Sequence, residues 1–379
     1  MATENNNKTL NVPNLRFPEF SGEWESNELH KVASLSKGAG ISKDQLSDSG
    51  HPCILYGELY TKYKSEIIRE VYSKTQLDVA NLVKSHTNDV IIPCSGEAAI
   101  EIATARCVLI PDVLLGGDLN IIRLNGRHDG GFFAYQLNGK RKVDIAKVAQ
   151  GVSVVHLYGE HLKKVKVAYP SLEEQQKISS FLALLDERIA TQIKIIEKLE
   201  SLIKGLCQRL TQQSDPNTTL NEALVCYSST LQESSVQEVG DYPVYGATGV
   251  CGYTDAPEVD GDSILIIKDG ASVGVTYYAS GKYSAIGTLN RLVAKRGYSL
   301  RYLYYCLKVF NFAPYRTGLA IPHIYFRDYG KAKVWCPSLD EQQLIADALS
   351  KVEQKIAIEK SLLEQLYSQK RFLLQAMFI

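Results

Sequence analysis

The sequence predicts an α+β protein in which two mixed α/β globules alternate with two long helices. Three observations carry that expectation. One stretch of the chain is written twice, each copy holds an unbroken heptad of mostly apolar positions, and the segments outside the copies are short β-branched runs punctuated by glycine.

The repeat comes first because it organises everything else. Lys164 to Leu210 aligns without gaps on Lys331 to Met377, and Pro170-Ser171-Leu172-Glu173-Glu174-Gln175-Gln176 returns as Pro337-Ser338-Leu339-Asp340-Glu341-Gln342-Gln343. The match reaches upstream in the same register, with Gly151, His156 and Tyr158 falling on Gly318, His323 and Tyr325. Pro-Ser followed by acidic residues reads as a helix start, since Ser caps free N–H groups and carboxylates suit the positive end of the dipole.

Within the copies, Ile178, Leu182, Leu185, Ile189, Gln192, Ile196, Leu199, Ile203, Leu206 and Leu210 keep a 4,3 alternation. Ile345, Leu349, Val352, Ile356, Glu359, Leu363, Leu366, Lys370, Leu373 and Met377 keep the same one. A seam sustained this long predicts a coiled coil, and the polar Gln192 and Glu359 at matching positions would fix its register. The plainer reading of either helix alone is an amphipathic helix packed on its own domain; two matched copies favour the coiled coil.

The globules are also distantly alike. Ile54-Leu55-Tyr56-Gly57 resembles Pro243-Val244-Tyr245-Gly246, and Gly117-Asp118-Leu119-Asn120 resembles Gly287-Thr288-Leu289-Asn290. Strands ending in glycine turns, with helix-like stretches such as Leu300 to Val309, predict mixed globules. The expected domains are 1–168, a helix at 169–213, a second globule at 214–336 and a helix at 337–379, with Gln212 to Thr219 as a polar linker.

The N-terminal residues are polar and no stretch approaches the roughly 20 apolar residues that span a bilayer, so a cytoplasmic protein without membrane contact is expected. The eight cysteines are scattered singly, without metal-clamp or disulfide spacing, and the histidines show no ligand pairing. Catalytic motifs are missing too: Gly281-Lys282 lacks the remainder of a phosphate loop, and no acidic or Asn residue precedes a Pro-Pro-aromatic run. No catalytic residue, metal site or cofactor is therefore expected in this chain.

The formal net charge is zero, which is unusual for a binder of phosphate polyanions. The charge is segregated, however. The last third of the first globule holds Arg123, Arg127, Lys140, Arg141, Lys142, Lys147, Lys163, Lys164 and Lys166 against three carboxylates. In the second, Arg291, Lys295, Arg296, Arg301, Lys308, Arg316, Arg327, Lys331 and Lys333 face Asp328 alone, whereas Asn221 to Asp262 has no Lys or Arg. A basic run is usually a solvated face; its recurrence in the matching third, beside Tyr298, Tyr302, Tyr315 and Tyr325, favours DNA. The candidate DNA-facing residues are Arg123, Arg127, Lys140, Arg141, Lys142 and Lys163, then Lys268, Arg291, Lys295, Arg296, Arg316, His323 and Arg327.

Two globules alternating with helices that begin Pro-x-Leu-x-Glu-Gln-Gln resemble the specificity subunit of type I restriction-modification systems. Leu15-Arg16-Phe17-Pro18-Glu19-Phe20-Ser21-Gly22-Glu23-Trp24 and Lys204-Gly205-Leu206-Cys207-Gln208 are similar to that family's N-terminus and first-helix ending, while Phe372 departs from its usual small residue. The resemblance implies two target recognition domains, each reading half of a split site in double-stranded DNA. It also implies two modification subunits that use S-adenosylmethionine, and restriction/translocase subunits that use ATP and Mg. Antiparallel pairing would place the globules at opposite ends of a rod of about 50 Å, related by a pseudo-twofold. A coiled-coil assembly protein without a nucleic-acid role, or a specificity subunit of a methyltransferase-only system, are the alternatives.

Overall fold

A computed structural model describes residues 11–151 and 154–379. The chain divides into two units. One runs to Ile193 and takes in Ser361–Ile379; the other is Lys194–Lys360.

The first unit is built on a five-stranded sheet in the order Ala33–Lys37, Leu119–Leu124, Asp89–Pro93, Arg106–Val108, Ile67–Ile68. Its central strand, Asp89–Pro93, is buried throughout and pairs antiparallel with Leu119–Leu124, Ile91 facing Ile121. The helix Gly130–Asn138 covers this sheet, and Asp129 caps it by accepting the Phe132 N–H at 2.7 Å. Glycine is required at its first position, because a Cβ on Gly130 would lie 2.5 Å from the Asn88 carbonyl oxygen and 2.8 Å from Cys107 Sγ. A four-stranded sheet, Leu114–Leu115, His51–Ile54, Ser73–Thr75, Leu46–Ser47, completes the globule.

The second unit repeats this plan. Leu224–Ser228, Leu289–Ala294, Ser263–Ile267 and Thr276–Ala279 form an antiparallel sheet covered by the helix Leu300–Lys308, which Ser299 caps through the Tyr302 N–H. Gly249–Thr254, Tyr242–Gly246, Lys282–Ala285 and Val259–Asp260 form its smaller sheet.

The predicted long helices are Leu172–Thr211 and Leu339–Ala376. Ser171 and Ser338 cap them as expected, through the Glu174 and Glu341 N–H groups. Every seam position is buried or half-buried. Segments of both helices pack together inside each unit. In the first, Ile178, Leu182, Leu185 and Ile189 share a core with Leu366, Leu373 and Met377, and with Phe132 and Phe133 of the globule. In the second, Ile203 and Cys207 share a core with Ile345, Leu349 and Ile356, and with Tyr302 to Leu307. Ion pairs join the two helices within each unit, Asp186 to Lys370 in the first and Glu200 to Lys360 in the second.

The seam holds two surprises. Lys370 is no exposed interruption: its ammonium, 13% exposed, lies 2.5 Å from Glu66 and 2.6 Å from Asp186. The expected linker is also shorter than its composition suggests. Thr218–Thr219 pairs antiparallel with Lys333–Val334, because Asn217 exchanges two side-chain hydrogen bonds with the Cys336 backbone. The first unit makes the same closure with Glu25–Glu28 against Lys166–Tyr169.

Candidate nucleic-acid interface

In the second unit the structure gathers two of the predicted side chains around one carboxylate and sets a third beside them. Asp269 follows the strand Ser263–Ile267, and its oxygens lie 2.7 Å from His323 Nδ1 and 3.0 Å from Lys268 Nζ. Burial pushes the Asp269 carboxyl up, but the hydrogen bonds from His323 and Lys268 outweigh it and hold it below the usual carboxylate range. The His323 ring lies nearly parallel to Tyr325, with centroids 6.5 Å apart, and the Arg327 guanidinium sits 4.9 Å over Tyr325. Lys268, His323 and Arg327 thus form a cationic and aromatic surface, with Arg327 the most exposed at 78% of its side chain.

Beside it, Thr317 and His323 exchange backbone hydrogen bonds of 2.9 and 2.7 Å and close a short loop. Arg316 precedes that loop and donates to the Val273 carbonyl at 3.0 Å. The first unit closes the matching loop with Gln150 and His156, at 2.9 and 2.7 Å. There Ser95 replaces Asp269, 3.2 Å from His156 Nδ1, and Tyr158 lies 6.1 Å from the His156 ring. Glu160 stands where the second unit has Arg327, and it binds Lys163 at 2.5 Å.

The other predicted cations lie apart from this cluster. Arg291 stacks 4.3 Å from the Tyr227 ring and lines a cleft of about 180 Å³ with Ser228 and Glu258. Lys295 and Arg296 occupy the turn at the far end of the strand Leu289–Ala294, roughly 20 Å along it from Lys268, where Lys295 Nζ donates to the Asn221 carbonyl. Arg127 is exposed in the equivalent turn of the first unit. Lys140, Arg141 and Lys142 fall at the junction of the helices Gly130–Asn138 and Lys142–Val148, with Arg141 on Asp144 at 3.4 Å. Lys163 lines a cleft of about 240 Å³ with Lys37, Asn120 and Tyr158.

Arg123 has a different duty. Its guanidinium makes a two-pronged bond with the buried Asp89 carboxylate, at 2.9 and 2.7 Å, and holds the end of the central strand. A cleft of about 1060 Å³ in the first unit, lined by Lys43, Tyr56, Lys62 and Asp118 among others, contains none of the predicted cations.

Sequence reasoning left the repeated glutamines without a role. Gln175 Oε1 accepts the N–H of Asp129, the cap of the first unit's short helix, at 3.0 Å, while its amide donates to the Pro170 carbonyl at 2.8 Å. Gln342 does the same to Ser299 and Pro337, at 2.9 Å in both bonds. The Glu-Gln-Gln run therefore clamps each globule's helix to the start of a long helix.

The eight cysteines are all free, and burial pushes Cys53, Cys94 and Cys207 up to about 11. Among the described residues no group of His, Cys, Asp and Glu could hold a metal ion, and no helix is long and apolar enough to cross a membrane.

Two like units, each joining a sheet-and-helix globule to segments of both long helices, define a duplicated scaffold. The type I restriction modification DNA specificity domain matches residues 21–201 and 227–368, and the chain belongs to that family. It is 26% identical over 215 residues to a protein named as the MjaX type I restriction enzyme specificity subunit of Methanocaldococcus jannaschii, covering 54% of this chain and 49% of that one. It is also 26% identical over 112 residues to the type I restriction enzyme EcoprrI specificity subunit of Escherichia coli, covering 30% of this chain and 28% of the other. The chain spans about half the length, or less, of these curated relatives. The crystal structure of the S subunit of a type I restriction-modification system from M. genitalium shares the fold, with a TM-score of 0.66 at 19% identity over 97% of this chain and 99% of that one.

Proposed function

We propose that this chain is the DNA-recognition subunit of a type I restriction-modification complex, with each unit reading one half of a split duplex target. The observation that carries the reading is the family match to both halves of the chain, each half falling on a unit with a histidine-closed loop, which in the second unit is flanked by Lys268, Arg316 and Arg327. Base contacts specify a sequence and phosphate contacts position the reader, so a few local cations per unit suffice. Two modification subunits would clamp the remaining duplex, which accommodates the net charge of zero.

Chemistry belongs to the partners in this reading. The modification subunits would methylate adenine with S-adenosylmethionine, and restriction subunits would translocate and cut with ATP and Mg. The antiparallel helices would set the number of unread base pairs between the half-sites.

The test is methylome sequencing of cells expressing the chain with its modification partner. A split, adenine-methylated motif is expected; an undivided motif from an assembled, active complex would contradict the reading. Purified chain given S-adenosylmethionine, ATP and Mg should leave DNA unchanged, and activity that persists through further purification would equally contradict it.

A further inference from the structure

The loop closed by Thr317 and His323 carries two apolar side chains into solvent. Leu319 is fully exposed at 108% and Ile321 is 58% exposed. Single exposed leucines are ordinary on protein surfaces. Here, however, the backbone holds both residues out. Gly318 sits at φ +87°, and a Cβ there would lie 2.4 Å from the Ile321 carbonyl oxygen, so the turn admits only glycine without strain. The Pro322 carbonyl accepts the Gly270 N–H at 2.9 Å, which pins the loop to the Asp269 turn. The matching loop of the first unit also presents an apolar residue, with Val154 53% exposed at the position of Ile321.

What surrounds the loop identifies its partner. Arg316 precedes it, Lys268 and His323 flank its base on Asp269, and Arg327 lies beyond Tyr325. An apolar tip flanked by Arg316, by Lys268 paired with Asp269 and by Arg327 beside Asp328 complements a groove in a polyanion, where phosphates line the rim and base edges form the floor.

We propose that the Thr317–His323 loop is a base-contacting finger. Leu319 and Ile321 press on base edges in a groove of duplex DNA, while Lys268, Arg316 and Arg327 engage the flanking phosphates. Apolar side chains serve this purpose either against thymine methyl groups or as wedges between base steps. The inference rests on the DNA-recognition reading and adds two residues that the charge pattern could not single out.

The test uses the full chain assembled with its modification partner and a duplex carrying the motif found by methylome sequencing. In a Leu319→Ala, Ile321→Ala variant, affinity for that duplex should fall about tenfold, one or two base contacts being lost. The slope of log affinity against log salt should stay unchanged because no phosphate contact is removed, whereas Arg327→Gln should flatten it by about one unit. Co-purification with the modification subunits and the thermal midpoint should match wild type, since Leu319 covers no core. Affinity within about twofold of wild type would overturn the proposal. Loss of co-purification would also overturn it, assigning the loop to a protein contact. A wild-type complex with no preference for the motif would sink the DNA-recognition reading itself, and the finger with it.

Discussion

The Tyr135 hydroxyl donates to Asp186 Oδ2 at 2.7 Å, and this bond ties the first unit's short helix to the long helix beside it. The second unit makes the same bond from Tyr305 to Glu353, at 3.0 Å. The two sites differ in where the neutralising cation comes from. For Asp186 it is Lys370 on the other long helix, and for Glu353 it is Lys308 on the globule's own helix, 2.5 Å away. Asn138 stands in the first unit where Lys308 stands in the second, and Ile203 where the other copy has Lys370. A cation removed from one element has reappeared on another facing the same carboxylate.

Lys370→Met should therefore be costly. Burial already pushes Glu66 up, while Asp186 stays below the usual carboxylate range because Lys370, Glu66 and Tyr135 outweigh its desolvation. Removing the ammonium leaves two buried carboxyls facing each other, a loss of about 3–5 kcal/mol. Urea unfolding of the full chain should show the first transition moved by that amount. A change below about 1 kcal/mol, the range of an exposed pair, would mean the cluster is solvated.

The second unit supplies a pH test. Burial raises Glu353, but Lys308, Tyr305 and Tyr304 prevail and its carboxyl lies below the ordinary value. A carboxyl whose folded pKa is depressed contributes stability that is complete above its unfolded value, about 4.3, and is lost as pH falls through the folded one. Lys308→Met should raise the folded pKa, so that acid destabilisation begins at a higher pH than in wild type. Superimposable stability curves between about pH 3 and pH 6 would show that Lys308 does not hold this charge.

Much of this architecture is legible in the sequence, because a duplicated heptad is a periodic signal and a helix can satisfy it in one way only. The seams, both Ser caps and the helix from Leu300 could be read directly. Arg123 could not be placed, since nothing local marks its partner Asp89, brought near by strand pairing across Asp89–Pro93 and Leu119–Leu124. The clamp made by Gln175 and Gln342 was visible as a repeated letter without a mechanism. Its partners, Asp129 and Ser299, lie more than forty residues upstream in each copy. Leu319 and Ile321 carry no such signal, because an apolar residue in a short run gives no sign of facing water.

Arg123 and Arg327 should separate structural from interfacial cations. Arg123→Gln leaves the buried Asp89 without its ion partner, and about 3 kcal/mol of first-unit stability should be lost. In the assembled complex under folding conditions, it should not change the salt dependence of DNA binding, whereas Arg327→Gln should flatten it while leaving stability intact. Reversed outcomes would exchange their roles.

The spacer should follow the helices. Inserting four residues between Ile196 and Leu199 adds about one turn to the first long helix, and the methylated motif should gain one or two unread base pairs with both half-sites unchanged. An active complex with an unaltered spacer would rule out a ruler.

The central claim is that each unit reads its own half-site, and the most direct measurement is the methylated motif written by wild type and by a Leu319→Ala, Ile321→Ala variant, each with the modification partner. Both residues lie on the second unit's Thr317–His323 loop. The account predicts a split motif for wild type. For the variant, it predicts lost stringency at positions confined to one half, with the other half and the spacer retained. An undivided motif, or stringency lost in both halves together, would contradict it.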